Sequence, residues 1–143
     1  MEEKTRIQYS VKALNPQGDA LEGEIEAWEE SPDDRDQVLV RLRLPGLMAE
    51  AMGDDYFSAL VAIRLVLENS AIKLLNYGCS LNVYPSPMSR SMGSGEKAYR
   101  LRMGEQAKSA DLVSIFESGP DVNPSTVAQQ EHFYREWLSS LRK

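Results

Sequence analysis

The chain has 143 residues, 42% hydrophobic and 27% charged, which fits one ordinary globular domain and excludes a disordered or disulfide-built protein. Cys79 is the only cysteine, so no intramolecular disulfide can form, and no run approaches the roughly 18 apolar residues of a membrane span. The net charge of −6 is unevenly placed: residues 1–36 hold four cations against eleven carboxylates, whereas residues 79–108 hold five cations against two.

Residues 5–14, TRIQYSVKAL, alternate, with Ile7, Tyr9, Val11 and Ala13 on one face and Arg6, Gln8, Ser10 and Lys12 on the other. That is the pattern of a half-buried strand. NPQGD then supplies a turn, and LEGEIEAW alternates again, Leu21, Ile25 and Ala27 inward and Glu22, Glu24 and Glu26 outward. A hairpin centred on Gln17 sets Lys12 opposite Glu22 and Tyr9 opposite Ile25, which satisfies both faces in one register. After the polar link EESPDDRD, QVLVRLRL reads as a third strand beside the second, and Pro45 and Gly46 close it.

Asp54 is the expected N-cap of a helix running to about Tyr77, with Gly78 as its stop. Tyr56, Leu60, Ile63, Leu67, Ala71 and Leu74 give its core stripe, widened by Phe57, Val66 and Leu75. The second half starts with CSLNVYP, a strand with Leu81 and Val83 inward. KAYRLRM follows with Tyr99, Leu101 and Met103 on one face, and LVSIF is a last strand. Asn123 is the expected cap, with Pro124 at the first position, of a final helix to about Leu141 that buries Val127, Tyr134, Trp137, Leu138 and Leu141. The expected fold is a single α+β domain over residues 1–143: an antiparallel sheet of about six strands in the order βββαβββα, with two helices packed on one face.

Chemistry is sparse in this chain. His132, the only histidine, has no neighbouring ligand pattern and reads as a surface or structural residue, so no catalytic residue is assigned. One cysteine and one histidine do not build a zinc site, and SPDDRDQ lacks the spacing of a calcium loop, so no metal or cofactor is expected. Gly93-Ser94-Gly95-Glu96-Lys97 fails as a phosphate loop, because a strand and not a helix follows it.

The segment YPSPMSRSMGSGEKAY, residues 84–99, separates two strands and is far longer than a hairpin needs. Three readings stay open for it. Amides at Gly93 to Gly95, with Ser86, Ser89, Arg90, Lys97 and Arg100, offer donors to an anionic ligand. Tyr84, Met88, Arg90, Met92 and Tyr99 suit a protein-binding surface. The third is a long connection whose glycines and prolines fix its path while Met88 and Met92 tuck against the sheet edge. Elsewhere, Arg6, Lys12, Arg41 and Arg43 flank the row Glu22, Glu24 and Glu26, and cross-strand pairing should absorb much of its field. Glu29, Glu30, Asp33, Asp34 and Asp36 are left without such neighbours and are the better candidates for meeting a basic partner.

The residues Tyr84-Pro85-Ser86, Met88, Arg90, Met92-Gly93, Gly95 and Ala98-Tyr99 resemble a motif of a family of small, mostly uncharacterised bacterial proteins. Some of these resemble immunity proteins that protect bacteria from toxins of neighbouring cells. The resemblance covers about a tenth of the chain by motif and implies a stoichiometric binder rather than a catalyst. The expectation is therefore a cytoplasmic, non-catalytic interaction protein that docks a basic toxin or effector domain, with neither nucleic acid nor membrane expected as a partner. An anionic-ligand or enzyme module using the Ser86–Lys97 loop is the alternative. A small acidic secretion chaperone is a further rival, although such a protein would be expected to begin with a helix.

Overall fold

A computed structural model describes residues 7–142, so Thr5 and Arg6 of the first expected strand lie outside the described residues. The α+β class and the antiparallel pairing are as expected, but the strands divide between two sheets. The larger has five strands in the order β4-β3-β2-β1-β5: β1 (Ile7–Leu14), β2 (Ala20–Trp28), β3 (Val38–Leu44), β4 (Leu47–Gly53) and β5 (Lys73–Leu74). The smaller joins β6 (Val83–Tyr84), β7 (Lys97–Arg100) and β8 (Leu112–Ser114). Among the described residues there are three α-helices: α1 (Tyr56–Glu68), α2 (Pro87–Met92) and α3 (Val127–Ser140).

The first hairpin forms in the expected register, Lys12 facing Glu22 and Tyr9 facing Ile25. Its turn is closed by the Asn15 side chain, whose Oδ1 accepts from the amides of Gln17 and Asp19 at 3.0 and 2.8 Å. β3 lies beside β2 with Glu26 facing Arg41 and Glu24 facing Arg43. Arg41 and Arg43 both reach Glu26, at 3.9 and 3.5 Å, so the cross-strand pairing expected for that row is present at its Glu26 end.

Pro45 and Gly46 do not end the sheet. They form a two-residue turn with Gly46 at φ 72°, and β4 returns along β3 over seven facing pairs. The helix cap accordingly falls one residue later than expected. Asp55, not Asp54, accepts from the Ser58 amide at 2.7 Å.

α1 also stops nine residues before Tyr77. Ala71 takes the left-handed conformation at φ 53°, Ile72 N–H bonds the Leu67 carbonyl and Ala71 N–H that of Glu68. This is a Schellman closure in which alanine stands where glycine is usual. Ala71 and Leu74 therefore leave the helical stripe, and Leu74 is buried in β5 against Ala13. Val66, expected to widen the stripe, is 55% exposed. The true core face of α1 is Tyr56, Phe57, Leu60, Ile63 and Leu67, packed on Ile25, Val40 and Leu42 of the sheet. Each such side chain contributes about 1.5–3 kcal/mol by leaving water.

In the second half the strands are shorter than their patterns suggest. Met103 is 44% exposed outside any strand, while Leu101 is buried. Thr126, not Asn123, caps α3: its hydroxyl accepts from Gln129 N–H and the Gln129 side chain returns to the Thr126 amide. Of the stripe expected to be buried on α3, only Trp137 is; Leu138 is 42% exposed and Val127, Tyr134 and Leu141 are half-buried. α3 packs beside β6 and α1, not flat on the large sheet.

Part of what joins α3 to the body is polar. Gln130, 1% exposed, places Nε2 2.9 Å from the carbonyl oxygens of Gly78, Ser80 and Val83, and its Oε1 accepts from buried Arg64 at 2.6 Å. The Arg64 guanidinium also donates to the carbonyl of Ser125 at 3.0 Å. The charge is thus solvated by fixed dipoles.

Candidate functional site

The 84–99 segment is a structured clasp on the N-terminus of α1. The Ser86 hydroxyl accepts from Ser89 N–H at 3.0 Å, Pro87 takes the first helical position, and α2 ends on Gly93. The amides of Gly93 and Gly95 both donate to the Ser89 carbonyl, and that of Glu96 to the Gly93 carbonyl. The glycine amides expected to cradle an anion are thus engaged within the segment. The Ser94 carbonyl accepts from Tyr56 N–H at 2.7 Å, which satisfies an amide of the first turn of α1. Gly95, at φ 72°, lies where an added Cβ would stand 3.0 Å from the Asp55 side chain.

Arg90 completes the clasp. Its Nε donates to Asp55 Oδ2 at 3.1 Å, Nη2 to the Ser58 hydroxyl at 2.6 Å, and its guanidinium lies 5.4 Å from the centre of the Phe57 ring. Arg100 is committed elsewhere, donating to Asp121 Oδ2 at 2.7 Å and to Tyr77 Oη at 3.1 Å. Tyr77 in turn donates to Asp121 Oδ1 at 2.6 Å, and the two partners hold the Asp121 carboxyl below its ordinary range. Of the three cations proposed for an anion, only Lys97 is exposed without an ion pair among the described residues.

Met88 and Met92 are not tucked against a sheet edge. They are 70% and 82% exposed on α2, whose first residue, Pro87, lines a groove. That groove, of about 420 Å³, runs between the small sheet and α3, with Pro85, Pro87, Tyr99 and Leu101 on one side and Trp137 and Leu138 on the other. Its floor is a ladder of rings: Tyr84 stacks on Tyr134 at 4.0 Å and 11°, and Tyr134 lies 6.0 Å from Trp137 at 22°. Tyr84 also meets Phe57 edge-on at 5.0 Å, so the ladder rests on α1. Burial and the neighbouring Tyr84 ring push the Tyr134 phenol up. Tyr84, Ser86 and Tyr99 are therefore brought together here with four α3 residues read from sequence as core.

The acidic residues lie apart from this groove in sequence and form an ordered turn between β2 and β3. Ser31, 1% exposed, anchors it: its amide bonds the Gln37 carbonyl and its hydroxyl accepts from Asp33 N–H. Asp34 caps the next bend by accepting from Asp36 N–H at 2.9 Å. Glu29, Glu30, Asp33, Asp34 and Asp36 are all exposed, and none has an ion pair among the described residues. Glu26, Asp55 and Asp121, by contrast, are each paired with arginine.

No family model matches the chain, and no curated protein matches it. The geometry therefore stands alone. It can present an ordered row of negative charge and an open aromatic groove. Among the described residues no group of three histidine, cysteine, aspartate or glutamate side chains is placed to hold a metal ion. No described helix is long and apolar enough to cross a membrane.

Proposed function

We propose that this chain works by binding, as a non-catalytic inhibitor of the immunity type that docks a basic toxin or effector domain. The observation that carries the reading is the turn of residues 29–36: five exposed carboxylates without ion pairs among the described residues, on a backbone already fixed by its own hydrogen bonds. A fixed acidic row costs little ordering on association. Its field accelerates encounter with a basic partner and repels nucleic acid phosphates. The aromatic groove supports the same reading, because Tyr and Trp are enriched at protein contacts and among the side chains that dominate their energy. The alternative of an anionic ligand on the Ser86–Lys97 loop is less well supported, since Arg90, Arg100 and the glycine amides already have partners within the chain.

The test is a pull-down from the native host with the wild type and with the triple variant Glu30→Lys, Asp33→Lys, Asp36→Lys, which spares the Asp34 cap. The wild type should retain a basic protein at one-to-one stoichiometry, released by salt, because exposed charges separated by more than about 8 Å are screened at 0.15 M. The variant should fold with unchanged circular dichroism and lose that protein. Equal retention by both, or no stable protein partner at all, would overturn the reading.

A further inference from the structure

β4 is an edge strand, and its sequence is its own mirror. Met48-Ala49-Glu50-Ala51-Met52 reads the same in both directions. It pairs with β3 over seven regular positions without a bulge, and among the described residues no backbone hydrogen bond reaches its other edge. In a hairpin closed by Leu44 and Leu47, alternation turns the amides and carbonyls of Met48, Glu50 and Met52 away from β3. Edges of this kind template the pairing of another strand unless lysine, proline or a bulge blunts them. β4 has none of these. The opposite edge of the same sheet, β5, is two residues long and carries Lys73, a blunting residue that β4 lacks.

We propose that β4 pairs antiparallel with β4 of a second copy of this chain, about a two-fold axis at Glu50, joining two five-stranded sheets into one. The second copy is the occupant because the palindrome makes the edge complementary to itself. About the axis Met48 faces Met52 of the other copy, Ala49 faces Ala51 and Glu50 faces Glu50. The pairs at 48, 50 and 52 are the hydrogen-bonded ones, about six backbone bonds in all. Met48 and Met52, 56% and 41% exposed, would cover one another on the outer face.

Two glutamates facing one another would oppose the pairing. Here each brings its own counter-charge: Arg41 Nε lies 2.7 Å from Glu50 Oε2, and the guanidinium is steadied 5.0 Å from the centre of the Trp28 ring. The axis therefore carries two arginines and two glutamates, a neutral and self-complementary set. A seven-residue edge covers less than the roughly 800 Å² a side of a standard interface, so the dimer should form and dissociate with concentration.

Sedimentation velocity across about 1–500 µM should show a monomer–dimer equilibrium that stops at two copies. Met48→Lys, which adds the blunting residue natural edges use, should weaken association at least about tenfold while circular dichroism and Tm stay those of the wild-type monomer. Register is read by cross-linking. In a hydrogen-bonded pair the Cα atoms lie about 5.5 Å apart, within disulfide reach. Glu50→Cys should form a covalent dimer under mild oxidation, and Met48→Cys, whose counterpart is Met52, should not. A wild type that stays monomeric at every concentration, assemblies larger than two, or equal cross-linking of both cysteine variants would overturn the proposal.

Discussion

The guanidinium of Arg90 holds the Asp55 carboxylate, the Ser58 hydroxyl and the face of Phe57 at once. Without it, the carboxylate of Asp55, a residue 5% exposed, would keep the Ser58 amide as its one hydrogen-bond donor among the described residues. Breaking a fully buried pair costs about 3–5 kcal/mol and an exposed one about 0–1. The Arg90 side chain is 33% exposed, so Arg90→Ala should lower stability by roughly 2 kcal/mol, read from the urea midpoint. Asp55→Asn should cost less after Arg90→Ala than before it, because the two share one interaction. Gly95→Ala is a third route to the same clasp. It meets both the left-handed backbone and the Asp55 side chain at 3.0 Å, so it should cost more than the about 1 kcal/mol of Gly46→Ala, whose new Cβ meets nothing within 4 Å.

At the scale of elements, what could be read from the sequence was whatever alternated cleanly. The β1–β2 register followed from two faces that agreed. β4 was not visible, because alanine, glutamate and methionine are helix formers, and its alternation is of small against mixed residues. The end of α1 was hidden by Ala71, a residue that does not advertise a left-handed turn, whereas Gly78 advertised one that is not there. Thr126-x-x-Gln129 did carry the signal of the true α3 start, and the Asn-Pro pair just upstream masked it. The acidic turn was legible as a run of carboxylates. The aromatic groove was not, because residues 84–87, 99–107 and 134–141 meet only through the fold.

Gln130 is the pin of that groove's far wall. Its Nε2 has three carbonyl oxygens at 2.9 Å, more acceptors than two hydrogens can serve singly, and its Oε1 is the side-chain acceptor of Arg64. Gln130→Ala leaves buried carbonyls and part of a buried guanidinium unpartnered, each costing about 1–3 kcal/mol. The loss should total roughly 3 kcal/mol, and should loosen α3 first, since little of its own surface is buried. Limited proteolysis should then cut the 117–126 link in the variant at protease levels that leave the wild type intact. Uniform global destabilisation without that cut would show that the pin is not local.

For the whole molecule, charge and burial set different edges to the pH range of stability. Burial, with Glu29 and Glu96 nearby, pushes the Tyr56 phenol from its ordinary 10.0 up to about 12, and no partner among the described residues receives its hydroxyl. A group raised on folding contributes fully below its unfolded value, so this stability is present to about pH 10 and drains as pH rises toward 12. Asp121 has the opposite sign. Held low by Tyr77 and Arg100, it contributes above about pH 4 and loses that contribution as pH falls through its depressed value. The net charge of −6 shrinks as carboxylates begin to protonate, and the relief of self-repulsion offsets the early part of that loss. Urea midpoints from pH 3 to 11 should therefore be nearly level through neutrality and fall at both ends. Tyr56→Phe should leave neutral stability equal or slightly higher, because an unsatisfied hydroxyl is removed, and should flatten the alkaline limb. Tyr9 and Tyr134, also raised, should keep that limb from vanishing. Asp121→Asn should flatten the acid limb instead and lower the neutral plateau, and an exchange of these two signatures would contradict the assignment.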